Sequence, residues 1–119
     1  MKKVVFLALL SVVAIPAHSA TVFIKTGVER VLLSGDDEFG GCLIRPTKKF
    51  GTSVVNCKNT WVTFDCAGVL GGSKSAGQRR LDAAMLAQLT GGEIIIRMDD
   101  TQRVNGWCLA DRVQTVPAS

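Results

Sequence analysis

Four cysteines, Cys42, Cys57, Cys66 and Cys108, constrain this 119-residue chain more than any other feature. An even count in a small exported chain reads as a disulfide framework. A metal site fits less well, because no two cysteines have C-x-x-C spacing and the single histidine, His18, lies in an N-terminal leader. Four cysteines allow three pairings. The preferred one joins Cys42 to Cys57, closing a local excursion between strands, and Cys66 to Cys108, tying the middle of the chain to its end. In the chain-entropy picture such loops stabilise a fold by about 3 to 4 kcal/mol each, comparable with the whole net stability of a small domain.

The leader is residues 1–19. Lys2 and Lys3 form a positive start, Val4 to Ile15 an apolar run, and Ala17-His18-Ser19 supplies small residues where a signal peptidase cuts. Cleavage is expected after Ser19, leaving residues 20–119 as one domain in the periplasm or outside the cell. The apolar run is shorter than the roughly 20 residues of a spanning helix, and Pro16 closes it. No later run reaches that length, so no stable membrane insertion is expected. Loss of Lys2 and Lys3 lowers the formal charge from +4 to +2, which weakens the impression of a basic chain that seeks nucleic acid.

The extended segments follow from residue type and alternation. Thr21 to Lys25 and Val28 to Leu33 are β-branched and aliphatic, with Gly27 between them, so they form one broken strand or two short ones. Gly41 to Arg45 is the next strand, stopped by Pro46. In Trp61 to Cys66 the alternation sets Val62, Phe64 and Cys66 on one face and Trp61, Thr63 and Asp65 on the other. Ser75 and Gln78 have the spacing of a capping box, predicting a helix from about Ala76 to a glycine stop at Gly91-Gly92. Its packing stripe is expected to be Leu81, Ala84, Met85 and Leu89. Glu93 to Met98 and Gly106 to Val113 form a final hairpin, with Asp99-Asp100 and Asn105-Gly106 as rival turns. The resulting order, β-β-β-α-β-β, is that of an α+β, mainly β protein: a small five-stranded OB-like barrel with one helix and two disulfides. A ferredoxin-like or open α+β sheet is the rival arrangement.

Little catalytic chemistry remains once His18 is gone, since nucleophile arrangements that use histidine as the base are unavailable. Asp36, Asp37, Glu38, Asp99 and Asp100 offer paired carboxylates for glycoside hydrolysis, but all occupy turn-like segments. They do not match a calcium loop, and the paired glycines make no phosphate loop. No metal or other cofactor is therefore expected, and no enzymatic activity. Four Phe and two Trp after the leader, with near-balanced charge, argue against single-stranded nucleic acid. Binding of a glycan or a cell-envelope protein remains. Trp61, Thr63 and Arg45 are the candidate ligand residues, one aromatic platform among polar groups. Packing at the barrel end is the alternative for Trp61, and Trp107 reads as core beside Cys108.

The segments Gly40-Gly41-Cys42, Trp61 to Cys66, Leu81 to Ala87 with Thr90-Gly91-Gly92, and Asn105 to Val113 resemble a group of small secreted bacterial proteins. More distantly, the helix, glycine stop, strand and late cysteine resemble the receptor-binding B subunits of pentameric bacterial toxins of the cholera and subtilase type. That resemblance implies an OB fold, a homo-oligomer and a glycan receptor. It carries over no binding residue, because no segment aligns with a sugar pocket. The expected function is thus an exported, non-enzymatic binding module for a glycan or envelope partner; the alternative is a periplasmic structural or inhibitory protein that binds another protein.

Overall fold

A computed structural model describes residues 21–35, 37–50 and 56–117. The expected leader, residues 1–19, and Asp36 lie outside the described residues. Six strands and one helix follow in order: β1 (Thr21–Thr26), β2 (Val28–Leu33), β3 (Cys42–Pro46), β4 (Lys58–Thr63), α1 (Lys74–Thr90), β5 (Glu93–Val104) and β6 (Trp107–Val116). They form a single sheet in the order β1-β5-β6-β4-β3-β2. Neighbours are antiparallel apart from β4 and β6, which run parallel.

Among the described residues the strands number six, not five, because the first extended segment breaks at Gly27. β1 pairs with β5, whereas β2 pairs with β3 at the opposite edge. One residue thus separates the two edge strands along the chain, although no β1–β2 pairing closes the sheet. The corner is fixed by polar contacts. Gly27 N–H donates to Thr47 Oγ1 at 3.1 Å, and Gly27 C=O accepts from the Thr47 N–H at 3.1 Å. Fully buried Thr26 donates to the Gly27 carbonyl and accepts from the Lys48 N–H. These bonds satisfy backbone groups that the interrupted ladder leaves unpaired.

The core lies between the concave face of the sheet and α1. Cys42, Ile44, Val62, Phe64, Ile94, Ile96, Met98, Cys108 and Ala110 meet Leu81, Ala84 and Ala87 of the helix. The alternation read in Trp61 to Cys66 holds for Val62 and Phe64, both fully buried. The helix differs from expectation at its start. Ser73, with extended backbone, is the N-cap and accepts from the Ala76 N–H at 3.0 Å, so the helix begins two residues before the expected Ser75 box. The glycine stop is as expected, Gly91 taking φ 69°.

The packing stripe is also shifted, to Gly77, Leu81, Ala84 and Ala87. Met85 and Leu89 are 36% and 82% exposed. Gly77 explains the shift: an added Cβ would lie 2.6 Å from Asp65 O and 2.8 Å from Phe64 O, so the helix rests directly on the backbone that follows β4. A rotation that buried Leu89 would lift this contact.

In the final hairpin Asn105 and Gly106 take φ 52° and 84° and make the turn, with Val104 facing Trp107. Asp99 and Asp100 fall inside β5, where the register shifts.

The disulfides correct the expected pairing. Cys42 is bonded to Cys66 and Cys57 to Cys108. Register is the reason. Leu43 faces Thr63 on antiparallel β3 and β4, which brings Cys42 to the segment just past β4; Lys58 faces Trp107 on parallel β4 and β6, which brings Cys57 to Cys108. With separations of 24 and 51 residues, the chain-entropy stabilisation is about 3.5 and about 4 kcal/mol.

Replacing a mid-helix glycine by alanine ordinarily gains about 1 kcal/mol. Gly77→Ala is expected to lose at least about 2 kcal/mol instead, through overpacking. Urea unfolding of the two proteins measures the difference, and a stabilised variant contradicts the close approach.

Candidate functional site

The convex face of the sheet carries the aromatic site. Leu43 on β3, Trp61 on β4 and Trp107 on β6 point away from the core and, with Leu32 and Phe39, line an apolar pocket of about 150 Å³. Leu43 is buried, Leu32 is 39% exposed, and both tryptophans are half-buried. The parallel β4–β6 pairing creates this grouping by setting Lys58 beside Trp107. The Lys58 ammonium sits 5.0 Å from the Trp107 ring centroid, within cation–π range. Ile44 faces Val62, so the next step along the ladder sets Arg45 beside Trp61. Arg45 forms an ion pair with Glu29 at 3.3 Å, both side chains partly exposed.

Thr63 belongs elsewhere. It is fully buried, and its hydroxyl lies 2.9 Å from the Phe39 carbonyl and 3.2 Å from the Cys42 carbonyl while accepting from the Asp65 N–H at 3.0 Å. The three candidate residues therefore divide: Trp61 and Arg45 share an accessible face, and Thr63 is a structural pin behind it. Trp107, expected in the core, occupies the face opposite buried Cys108. Residue type alone does not single out Lys58 or Phe39, because nothing local announces a parallel pairing between strands as distant along the chain as those that join Lys58 to Trp107 and Thr63 to Leu109.

Asp65, 3% exposed with φ 55°, completes the support beneath the site. Its carboxylate accepts from the N–H groups of Val69 at 2.8 Å and Leu70 at 2.9 Å. Ala67 N–H donates to the Gly40 carbonyl at 2.8 Å, tying the loop after β4 to the loop before β3. Phe39 is held on that second loop. Its positive-φ Gly40 is obligatory, since a Cβ there would meet Thr63 Oγ1 at 2.6 Å.

Two further charged groups sit on β5 and β6. Asp111 is the extra residue where the register shifts between Arg97 and Met98. It accepts two bonds from Arg97, Nε at 2.7 Å and Nη2 at 2.5 Å. Those bonds hold its carboxyl below the usual carboxylate range, and the nearby charges of Arg97 and Arg112 act in the same direction. Of the acids offered for hydrolysis, Asp99 accepts from Thr101, and Asp100 accepts from the Asn56 N–H. Asp37 and Glu38 are exposed.

The disulfides are formed, and among the described residues no helix is long and apolar enough to cross a membrane. The chain matches no family model, no curated protein and no solved structure.

Two outcomes test the supports. Asp65→Ala is expected to cost about 3 kcal/mol, since it leaves two N–H groups without their charged acceptor and puts alanine in a left-handed conformation; Asp65→Asn, which tolerates that conformation, should cost less. Chemical denaturation measures both. For Asp111 the folded carboxyl is the stronger acid, so its contribution is present above about pH 4 and is lost as pH falls further. Asp111→Asn should flatten the acid limb of a stability profile between about pH 2 and 5, by a modest amount because the pair is partly solvated. An unchanged acid limb contradicts the assignment.

Proposed function

We propose that this protein is an exported binding module, not an enzyme, that holds a saccharide of a glycan or of the cell envelope against Trp61 and Trp107. The observation that carries this reading is the pairing of two half-buried tryptophans on one face of the sheet, around an apolar pocket with Lys58 and Arg45 beside it. A sugar ring offers an apolar C–H face to an aromatic plane, and its hydroxyls need polar groups at the rim. A pocket of about 150 Å³ falls below the roughly 300 Å³ of a drug-sized site. It suits the end of one ring, not a long substrate.

The same proposal includes an OB-type barrel. In its support, β1 and β2 occupy opposite edges but are joined through Gly27, β4 and β6 are parallel, and α1 lies between β4 and β5. This is the order of a Greek-key barrel whose long first strand serves both edges. The resemblance to toxin B subunits adds self-association to the proposal. Export is supported by the leader pattern and by two disulfides, which persist in oxidising compartments.

Contact with another protein is the second reading, favoured by the apolar stripe Met85, Leu86 and Leu89 on the outer side of α1, 36%, 57% and 82% exposed.

Glycan-array screening of the disulfide-bonded protein, followed by titration of any ligand against tryptophan fluorescence, tests the first reading. Trp61→Ala is expected to weaken binding at least about tenfold, in the range of a lost aromatic contact, while leaving the far-ultraviolet circular dichroism unchanged. Trp61→Phe should retain part of the affinity. Undiminished binding in both Trp61→Ala and Trp107→Ala would remove the pocket from consideration. Light scattering on the same sample measures assembly.

A further inference from the structure

A second site lies away from the aromatic pocket, where α1 meets β6. Ala76, Arg79, Arg80 and Ala83 of the helix face Asp111, Arg112 and Val113 of the strand across a cleft of about 290 Å³. Three of the lining residues are arginines, Arg79, Arg80 and Arg112. Among the described residues none of the three lies within ion-pair distance of a carboxylate, and Asp111, the one acid in the cleft, accepts from Nε and Nη2 of Arg97.

Arg80 is the anchored member. Its Nη2 donates to the Phe64 carbonyl at 2.9 Å, at the backbone on which Gly77 rests. Its Nε is buried without an acceptor. A buried donor left unpaired costs about 1 to 3 kcal/mol, and such a group in a folded chain calls for an explanation, a bound ion being one of them. Arg79 and Arg112 are exposed on either side. Like charges held this close repel one another unless a counter-charge joins them. Burial pushes the Arg80 guanidinium below its ordinary value; Asp111 and Asp65 oppose that shift, and Arg79 adds to it.

We infer that this cleft binds an oxyanion with three or more terminal oxygens, the group carried by a phosphate or sulfate ester. The three arginines come from two elements, Arg79 and Arg80 from the helix and Arg112 from the strand, so they flank the cleft from more than one side, whereas the two oxygens of a carboxylate lie in one plane. Arginine suits this role because its fork presents paired N–H donors at the spacing of such oxygens. The inference is independent of the saccharide reading, since it uses none of the residues of the aromatic pocket.

The test is isothermal titration of the disulfide-bonded protein with inorganic phosphate, sulfate and acetate at constant ionic strength, with amide chemical shifts followed in parallel. Saturable binding of phosphate or sulfate is expected, one per chain, with acetate weaker by about tenfold, the loss of one charge-assisted bond. Arg79→Gln and Arg112→Gln, both at exposed positions, should each weaken it by about tenfold, whereas Lys25→Gln on β1 should leave it unchanged. Tighter phosphate binding assigns a phosphate ester and tighter sulfate binding a sulfate ester. The inference is overturned by the absence of saturable binding, by acetate binding equally well, by shifts centred outside Ala76–Ala83 and Asp111–Val113, or by an equal loss in Lys25→Gln, which would mark a diffuse surface field.

Discussion

The break at Gly27 is the constraint on which the rest of the fold depends. A continuous strand from Thr21 to Leu33 would have to keep one pair of neighbours throughout; the interruption lets its first half pair with β5 and its second half with β3. The strands between those edges must then curve so that one short stretch of chain reaches both, which leaves a concave face for α1 and a convex one for solvent. The Thr26, Thr47 and Lys48 bonds hold the corner in place of ladder bonds.

The two candidate sites follow from that curvature in different ways. On the convex face the parallel β4–β6 pair sets Trp61 and Trp107 around one pocket. Behind it, Thr63 and Asp65 bind the surrounding loops by their backbones, so the aromatic groups rest on a frame already satisfied in its hydrogen bonds. At the helix, the close approach of Gly77 to the chain after β4 brings Arg80 against the Phe64 carbonyl and leaves Arg79 and Arg112 flanking the cleft. The first site is built from apolar surface and the second from unmatched charge, and different ligand chemistry fits each.

Local chemistry made several elements legible in the sequence. Alternation identified the second half of β4, Trp61 to Thr63, and the burial of Val62 and of Phe64 just beyond it, and the glycine stop identified the end of α1 at Gly91. Asn105-Gly106 was one of two turn signals, and only the paired positive φ values separate it from Asp99-Asp100, which lies within β5. What the sequence hid depends on register between distant strands. The cysteine partners, the placing of Trp107 on the face away from the core and the burial of Thr63 all follow from which residue of β4 faces which residue of β3 and β6. Helical periodicity likewise named Met85 and Leu89 as buried, because hydrophobicity alone cannot reveal that a glycine, Gly77, decides which side of α1 meets the sheet. Trp61 and Arg45 were recognisable as candidates from residue type, while Lys58, Phe39 and the cleft arginines acquire meaning only through their neighbours in space.

The two cross-links interleave along the chain: Cys57 lies inside the loop closed by Cys42 and Cys66, and Cys66 lies inside the loop closed by Cys57 and Cys108. A single proteolytic nick anywhere from Cys42 to Cys108 therefore releases no fragment, because at least one sulfur bridge always spans the cut. Side-by-side loops would have parted at a nick between Cys57 and Cys66. Threaded this way, a molecule meeting peptidases keeps its strands tethered after the first scission and can close again around its core.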